Sequence, residues 1–224
     1  MIFYPADESQ GYHHDPYGTA KFHTVRTRPG VEQGACSMKD RIKQVATATG
    51  EDLSMLEVQL GRLPSGVVRV EAYCPSGHPQ VIRYYPLSLS EEGEVLSPFP
   101  TLYWLTCRSL IRQVSEFESY GWIGKIEERI STDPDFRAAY HENHRQYARE
   151  RWEALLPEHR EAVIERGWEK VYRETGIGGI RDWNFVKCLH LQFAHHAGAA
   201  NVVGKFLQEE FSLQACKAES SSVG

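Results

Sequence analysis

The sequence predicts an α+β protein, mainly α, in which a small N-terminal β-hairpin or sheet packs against a bundle of about five to six helices. Three observations predict it. Val67 to Tyr73 and Gln80 to Tyr85 read as strands on either side of the turn Pro75-Ser-Gly-His-Pro79. From Arg108 onward the apolar residues recur at helical spacing instead, with Leu110, Ile111, Val114 and Phe117 forming an amphipathic stripe. The helical half is punctuated by Asp133-Pro134 and by Gly176 to Gly179, signals that start and stop helices.

Taken in order, residues 1–35 are polar and rich in Gly, Pro, Tyr and His, with no sustained apolar period. They read as an irregular or disordered arm, and His13-His14 as a solvated pair within it. Residues 36–213 form the expected single globular domain. Met38 to Ala48 reads as a helix. A second helix begins at Thr49-Gly-Glu-Asp, places Leu53, Leu56 and Leu60 on one face, and stops at Gly61. The two strands follow, with Cys74 at their bend. Glu91 to Pro100 reads as a loop, and Thr101 to Thr106 as a short β-like segment delivering Cys107. Helices are then expected over Arg108 to Tyr120, Trp122 to Ile130, Pro134 to about Leu156, and Glu158 to Glu174. Asp182 is placed to cap a further helix carrying Phe185, Cys188, Leu189, Gln192, Phe193 and His195. Gly198 interrupts that helix, and Asn201 to Phe211 continue it. Residues 214–224 read as a disordered tail, Ser-rich from Lys217.

Composition narrows the function classes. The chain has 224 residues, 41% hydrophobic and 25% charged, with a net charge of −5 and interspersed signs. That leaves no strong electrostatic footprint for nucleic acid. No apolar run approaches a membrane span, and the N-terminus, with Asp7 and Glu8, lacks the features of a leader, so a soluble cytoplasmic protein with no membrane partner is expected. The five cysteines, Cys36, Cys74, Cys107, Cys188 and Cys216, are odd in number and widely spaced, which suits free thiols, metal ligands or catalytic groups better than a disulfide framework. There is no P-loop, dinucleotide fingerprint, Gly-x-Ser-x-Gly, His-Glu-x-x-His or paired Cys-x-x-Cys.

Chemistry concentrates in one stretch. After the glycine turn, Cys188, His190, His195 and His196 fall within nine residues. Thiol and imidazole bind soft and borderline metals and perform nucleophilic and acid–base work. On a regular helix Cys188 and His195 share a face, whereas His190 lies about 200° around from Cys188. Cys74 sits at a turn, Cys107 at a strand-to-helix junction and Cys188 near a helix start. Three cysteines at element boundaries are able to converge on one point. Cys74, Cys107 and Cys188 with His190 (or His195) would make a tetrahedral zinc site, and three thiolates alone would hold an iron–sulfur cluster. In this reading His190 or His195 is a fourth ligand or a general acid/base, and Lys187 stabilises negative charge on a bound small molecule. Cys36 and Cys216, in the expected disordered ends, are discounted. Two rivals stand beside it. One is a metal-free enzyme with Cys188 or Cys107 as nucleophile and His195 or His190 as base. The other is a non-catalytic interaction protein docking through the polar helix around Tyr140 to Glu153. His141 and His144 read as a solvated face of that helix, and the tryptophans as packing residues.

Gln59-Leu-Gly-Arg62, Cys74-Pro-Ser-Gly-His-Pro79, Pro98-Phe-Pro-Thr-Leu-Tyr-Trp-Leu-Thr-Cys107, Gly178-Gly-Ile180 and Val186-Lys-Cys-Leu-His190, with His195 and Asn201, resemble the bacterial family named domain of unknown function 501, over about residues 50–205. The resemblance implies no established activity. It implies cysteines at the positions of Cys74, Cys107 and Cys188 and histidines at those of His190 and His195. It also implies a second cysteine in the first block where this chain has Ser76, which favours three thiolates with a histidine or an open position here. Where the family tends to Asn-Pro-x-Gly, this chain reads Asn201-Val-Val-Gly204.

Overall fold

The sheet is built from three antiparallel strands in the order β1 (Val67–Tyr73), β2 (Pro79–Tyr84), β5 (Tyr103–Leu105). They come from a computed structural model that describes residues 46–62, 65–90 and 94–216. Tyr73 pairs with Pro79 across the hairpin, and Ile82 pairs with Trp104 on the far side of β2. The expected strand pair and its turn are therefore present. The stretch expected as a loop is not entirely one. Val95–Pro98 forms β4, paired antiparallel with β3 (Leu87–Leu89) in a second small sheet, with Leu87 opposite Pro98.

Alternation along β2 sets the layers. Ile82 and Tyr84 pack with Leu56 of α1 (Gly50–Leu60), while Val81 joins the main core on the opposite face. Helix α1 begins with a capping box: Thr49 accepts from the Asp52 amide, and Asp52 accepts from the Thr49 amide at 2.9 Å. The expected helix over Met38 to Ala48 lies mostly outside the described residues, and residues 46–48 are not helical.

Seven more helices follow among the described residues. They are α2 (Arg108–Ser119), α3 (Trp122–Thr132), α4 (Pro134–Glu153), α5 (Pro157–Glu165), α6 (Glu169–Arg173), α7 (Leu189–Gly198) and α8 (Val202–Phe211). Asp133 caps α4 by accepting from the Phe136 amide at 3.0 Å, with Pro134 at its first position. The single helix expected over Glu158 to Glu174 is two, since Gly167 takes φ +67° between α5 and α6. The main core joins Val81 and Leu105 of the sheet to Leu110, Val114, Ile126, Ile130, Tyr140, Tyr147, Leu189, Phe193, Val203 and Leu207. No helix among the described residues is long and apolar enough to cross a membrane.

One buried cation organises the side of this core away from α2. Arg151 of α4 is fully buried and donates to the carbonyls of Pro100, Tyr172, Thr175 and Gly176 and to the Thr175 hydroxyl. A guanidinium spreads its charge over several donors, and here each finds a backbone oxygen rather than a carboxylate. The glycine turn after α6 is thereby fixed against α4. A Cβ at Gly176 would fall on the His144 ring, so glycine is required there for close approach.

Candidate thiol sites

Helix α7 starts later than expected. Asp182 accepts from the Asn184 amide at 2.9 Å in a turn rather than capping a helix. Val186 donates its amide to Glu127, and Lys187 donates its ammonium to the Gly178 carbonyl at 2.8 Å. These bonds hold residues 182–187 out of a helix. Cys188 is the N-cap of α7, with extended dihedrals of φ −163° and ψ 154° and no side-chain capping bond. The spacing argument for Cys188 and His195 assumed one continuous helix and does not apply. Extended Cys188 instead turns its sulfur toward His190 and Glu118, and the ligand atoms of these three lie within 4.8 Å of one another.

The hydrogen bonds around His190 define its charge. Nδ1 faces the Glu118 carboxylate at 3.2 Å. Nε2 faces the Ile111 carbonyl at 3.2 Å and the Ser115 oxygen at 3.1 Å. Ser115 already donates its hydroxyl to Ile111, so toward His190 it accepts. Both ring nitrogens thus meet acceptors, the pattern of an imidazolium. Burial pushes the His190 pKa down, but the Cys188 sulfur and the Glu118 carboxylate outweigh that and raise it to about 9. Burial likewise pushes Glu118 up, yet His190 and the amides of Leu189 and His190 hold it below the usual carboxylate range. Glu118, near the end of α2, also takes the first amides of α7, where a carboxylate complements the helix dipole.

A second cluster forms at the hairpin turn. Cys74, His78 and Cys216 place ligand atoms within 4.8 Å of one another. The turn is tight: the Gly77 amide donates to the Cys74 carbonyl at 2.9 Å, and the Cys74 amide donates to the His78 carbonyl at 2.9 Å. Such a turn aims the amides of Ser76 and His78 at the Cys74 sulfur. Cys216 arrives on the segment after α8. This segment is docked on α2 by reciprocal bonds between Gln113 and Gln214 at 2.7 and 3.1 Å, and by Ser109 donating to the Gln214 carbonyl at 3.1 Å. Its thiol donates to Cys74 with the sulfurs 3.0 Å apart. Burial pushes Cys74 up, but the bonds from Cys216 and from the His78 and Ser76 groups reverse this and lower its pKa. Burial and the neighbouring Cys74 raise that of Cys216. The fully buried Cys107, N-cap of α2, is also within hydrogen-bonding reach of Cys216.

Of the residues singled out in the sequence, Cys74 and Cys107 meet around Cys216, while Cys188 and His190 form a separate group. Among the described residues no ligand group holds both Cys74 and Cys188. His195 belongs to neither. It is buried between the rings of Tyr103 and Tyr147, its Nδ1 bonded to Asn201 at 3.2 Å, and burial lowers its pKa to about 3. Lys187 straps the glycine turn. His144 is buried too, stacked on Trp183 and accepting from the Ile177 amide, and burial lowers its pKa to about 3. It is no part of a solvated face. Cys36 and His13-His14 lie outside the described residues. His78, Glu118 and Cys216 were missed. The Cys-x-x-x-His spacing across the turn was a signal for His78, whereas nothing local marks Glu118 or Cys216.

The sequence profile of a family described as "Protein of unknown function (DUF501)" matches residues 70–209. No curated protein and no solved structure matches the chain. The Glu118–Cys188–His190 group lies inside the matched span, and Cys216 lies beyond it.

Proposed function

We propose, for a chain that belongs to the DUF501 family, that it is a metal-binding protein whose zinc centre is formed by Cys74, His78, Cys107 and Cys216. The observation that carries this reading is the Cys74 sulfur, whose pKa is lowered and which faces two backbone amides of its turn and a second thiol. A thiolate stabilised in this way suits a soft or borderline cation.

The donor set fits the ion. Zinc holds sulfur at about 2.3 Å and imidazole nitrogen at about 2.0–2.1 Å, so its ligands lie within about 4 Å of each other. The three grouped atoms approach that spacing already. His78 has a ring that makes no hydrogen bond among the described residues and keeps a lone pair to give. Ser76, where the family resemblance implies a second cysteine, donates to the Cys216 carbonyl at 3.3 Å, so the tail sets its thiol against this turn. Three thiols and one histidine favour a single tetrahedral zinc over an iron–sulfur cluster, and four protein ligands with Cys74 and Cys107 buried make a closed, structural centre. Bound there, zinc would supply a cross-link between the hairpin turn, the head of α2 and the segment after α8. In this reading His190 stays with Glu118 and the acceptors on α2 and takes no place in the zinc centre.

The test is elemental analysis of the full chain, purified reduced and then exchanged with zinc. About one zinc per chain, lost from the Cys74→Ser, Cys216→Ser variant and kept by Cys188→Ser, is expected. Equal zinc in the wild type and the double variant would overturn the reading, and a visible spectrum typical of iron–sulfur clusters would replace the metal.

A further inference from the structure

The second thiol group holds no share in the proposed zinc centre, yet it has the parts of a reactive site. Cys188 is partly exposed, unlike the buried Cys74 and Cys107. Its sulfur is in hydrogen-bonding reach of His190. The His190 side chain is 19% exposed and the Glu118 side chain 16%, so the charges beside the sulfur are shielded from bulk water. Glu118 and the acceptors on α2 fix the ring in place and in charge state.

We propose that Cys188 is a nucleophile, with His190 as the cation beside its sulfur and Glu118 as the residue positioning that cation, and that its substrates are small disulfides. The class follows from what the group supplies and lacks. The Cys188 sulfur is partly exposed and lies within 4.8 Å of a histidine held in fixed orientation, which leaves it open to attack a disulfide beside a hydrogen-bonding ring. Acyl transfer would need free donors for an oxyanion. The amides of Leu189 and His190, the first two of α7, are both taken by Glu118. An imidazolium with both protons engaged is also a poor general base. Exchange needs neither. The Cys188 sulfur attacks one sulfur of the disulfide R–S–S–R, the old S–S bond breaks, a Cys188–S–S–R bond forms, and R–S⁻ leaves. The proton given up by Cys188 equals the one the leaving thiol takes, and no outside oxidant or reductant enters. Lys187 plays no part, since its ammonium is bound to Gly178.

The probe is the aromatic disulfide 5,5′-dithiobis(2-nitrobenzoate), with each modified cysteine identified by peptide mass mapping on the zinc-exchanged full chain at pH 7. Cys188 is expected to react first. His190→Gln should slow it at least about tenfold, and Glu118→Gln by several-fold through looser positioning of the ring. Thermal melts of both variants separate slowed chemistry from unfolding. An unfolded variant is recognised by its melt and by a Cys188 rate equal to that of the urea-unfolded chain. The proposal is overturned if folded His190→Gln and Glu118→Gln react at the wild-type rate, or if Cys188 in the native protein reacts no faster than in urea. The Cys74→Ser, Cys216→Ser variant keeps its Cys188 rate if the two sites are independent, so the zinc reading and this one fail separately.

Discussion

The two groups each set a histidine beside a thiol and differ in what surrounds the histidine. At the hairpin turn His78 has no hydrogen-bond partner for its ring among the described residues, and the group with the lowered pKa is the Cys74 thiol. Beside α7, His190 is held at both nitrogens and carries the charge itself. A free imidazole lone pair beside thiols is a ligand, whereas an imidazolium beside a thiol is a counter-ion. Residue identity does not separate these outcomes; the acceptors placed on α2 do.

The largest expected way to break this contrast is Glu118→Ala. It leaves a largely buried imidazolium without its carboxylate and strips the first amides of α7, so unfolding in urea should show a loss of about 3 kcal/mol. Zinc content should not change, because Glu118 touches nothing at the hairpin turn. If zinc were lost as well, the two groups would not be independent.

The pH dependence sharpens the same point. His190 is raised from 6.5 to about 9 on folding. Its contribution is fully present below pH 6.5 and disappears as pH rises toward 9, a loss on the order of 3 kcal/mol. His144 and His195 run the other way. Their pKa values fall to about 3, so the unfolded chain binds the extra protons, and stability is lost as pH falls below 6.5 toward 3. Proton NMR titration should show His190 still charged at pH 8, with His144 and His195 neutral at pH 5. A neutral His190 at pH 7 would remove the contrast.

Zinc in a hundredfold excess over its dissociation constant should stabilise the wild-type protein by about 2.7 kcal/mol. Cys188→Ser should keep that increment and Cys74→Ser should lose it, as read by thermal melts with and without chelator. The smallest effect is expected from Gln113→Ala. It removes the paired bonds that dock Gln214, costs about 1 kcal/mol, and weakens zinc binding several-fold by loosening Cys216, with no change in the Cys188 modification rate.

Much of the fold was legible because it rests on local rules. The alternation around Pro75–Pro79, the helix start at Thr49 and Asp133-Pro134 before α4 all act within a few residues, and each element stands where its signal put it. Two of the failures share one cause. The β3–β4 pair and the late start of α7 at Leu189 depend on partners elsewhere in the chain: Pro98 for Leu87, and Glu127 and Gly178 for residues 182–187. The break at Gly167 is local and rests on that glycine's φ of +67°.

By itself the sequence determined that a cysteine and three histidines crowd after the glycine turn, that three cysteines stand at element boundaries, and that an α+β fold carries them, since composition and local periodicity are properties of short segments. Only the tertiary structure decided the grouping. Cys216 reaches Cys74 across 142 positions, and Glu118 reaches His190 across 72. Such pairings arise from how α2, α7 and the segment after α8 pack on the sheet. An extended backbone at Cys188, rather than a helical one, swings its sulfur onto His190 and away from His195.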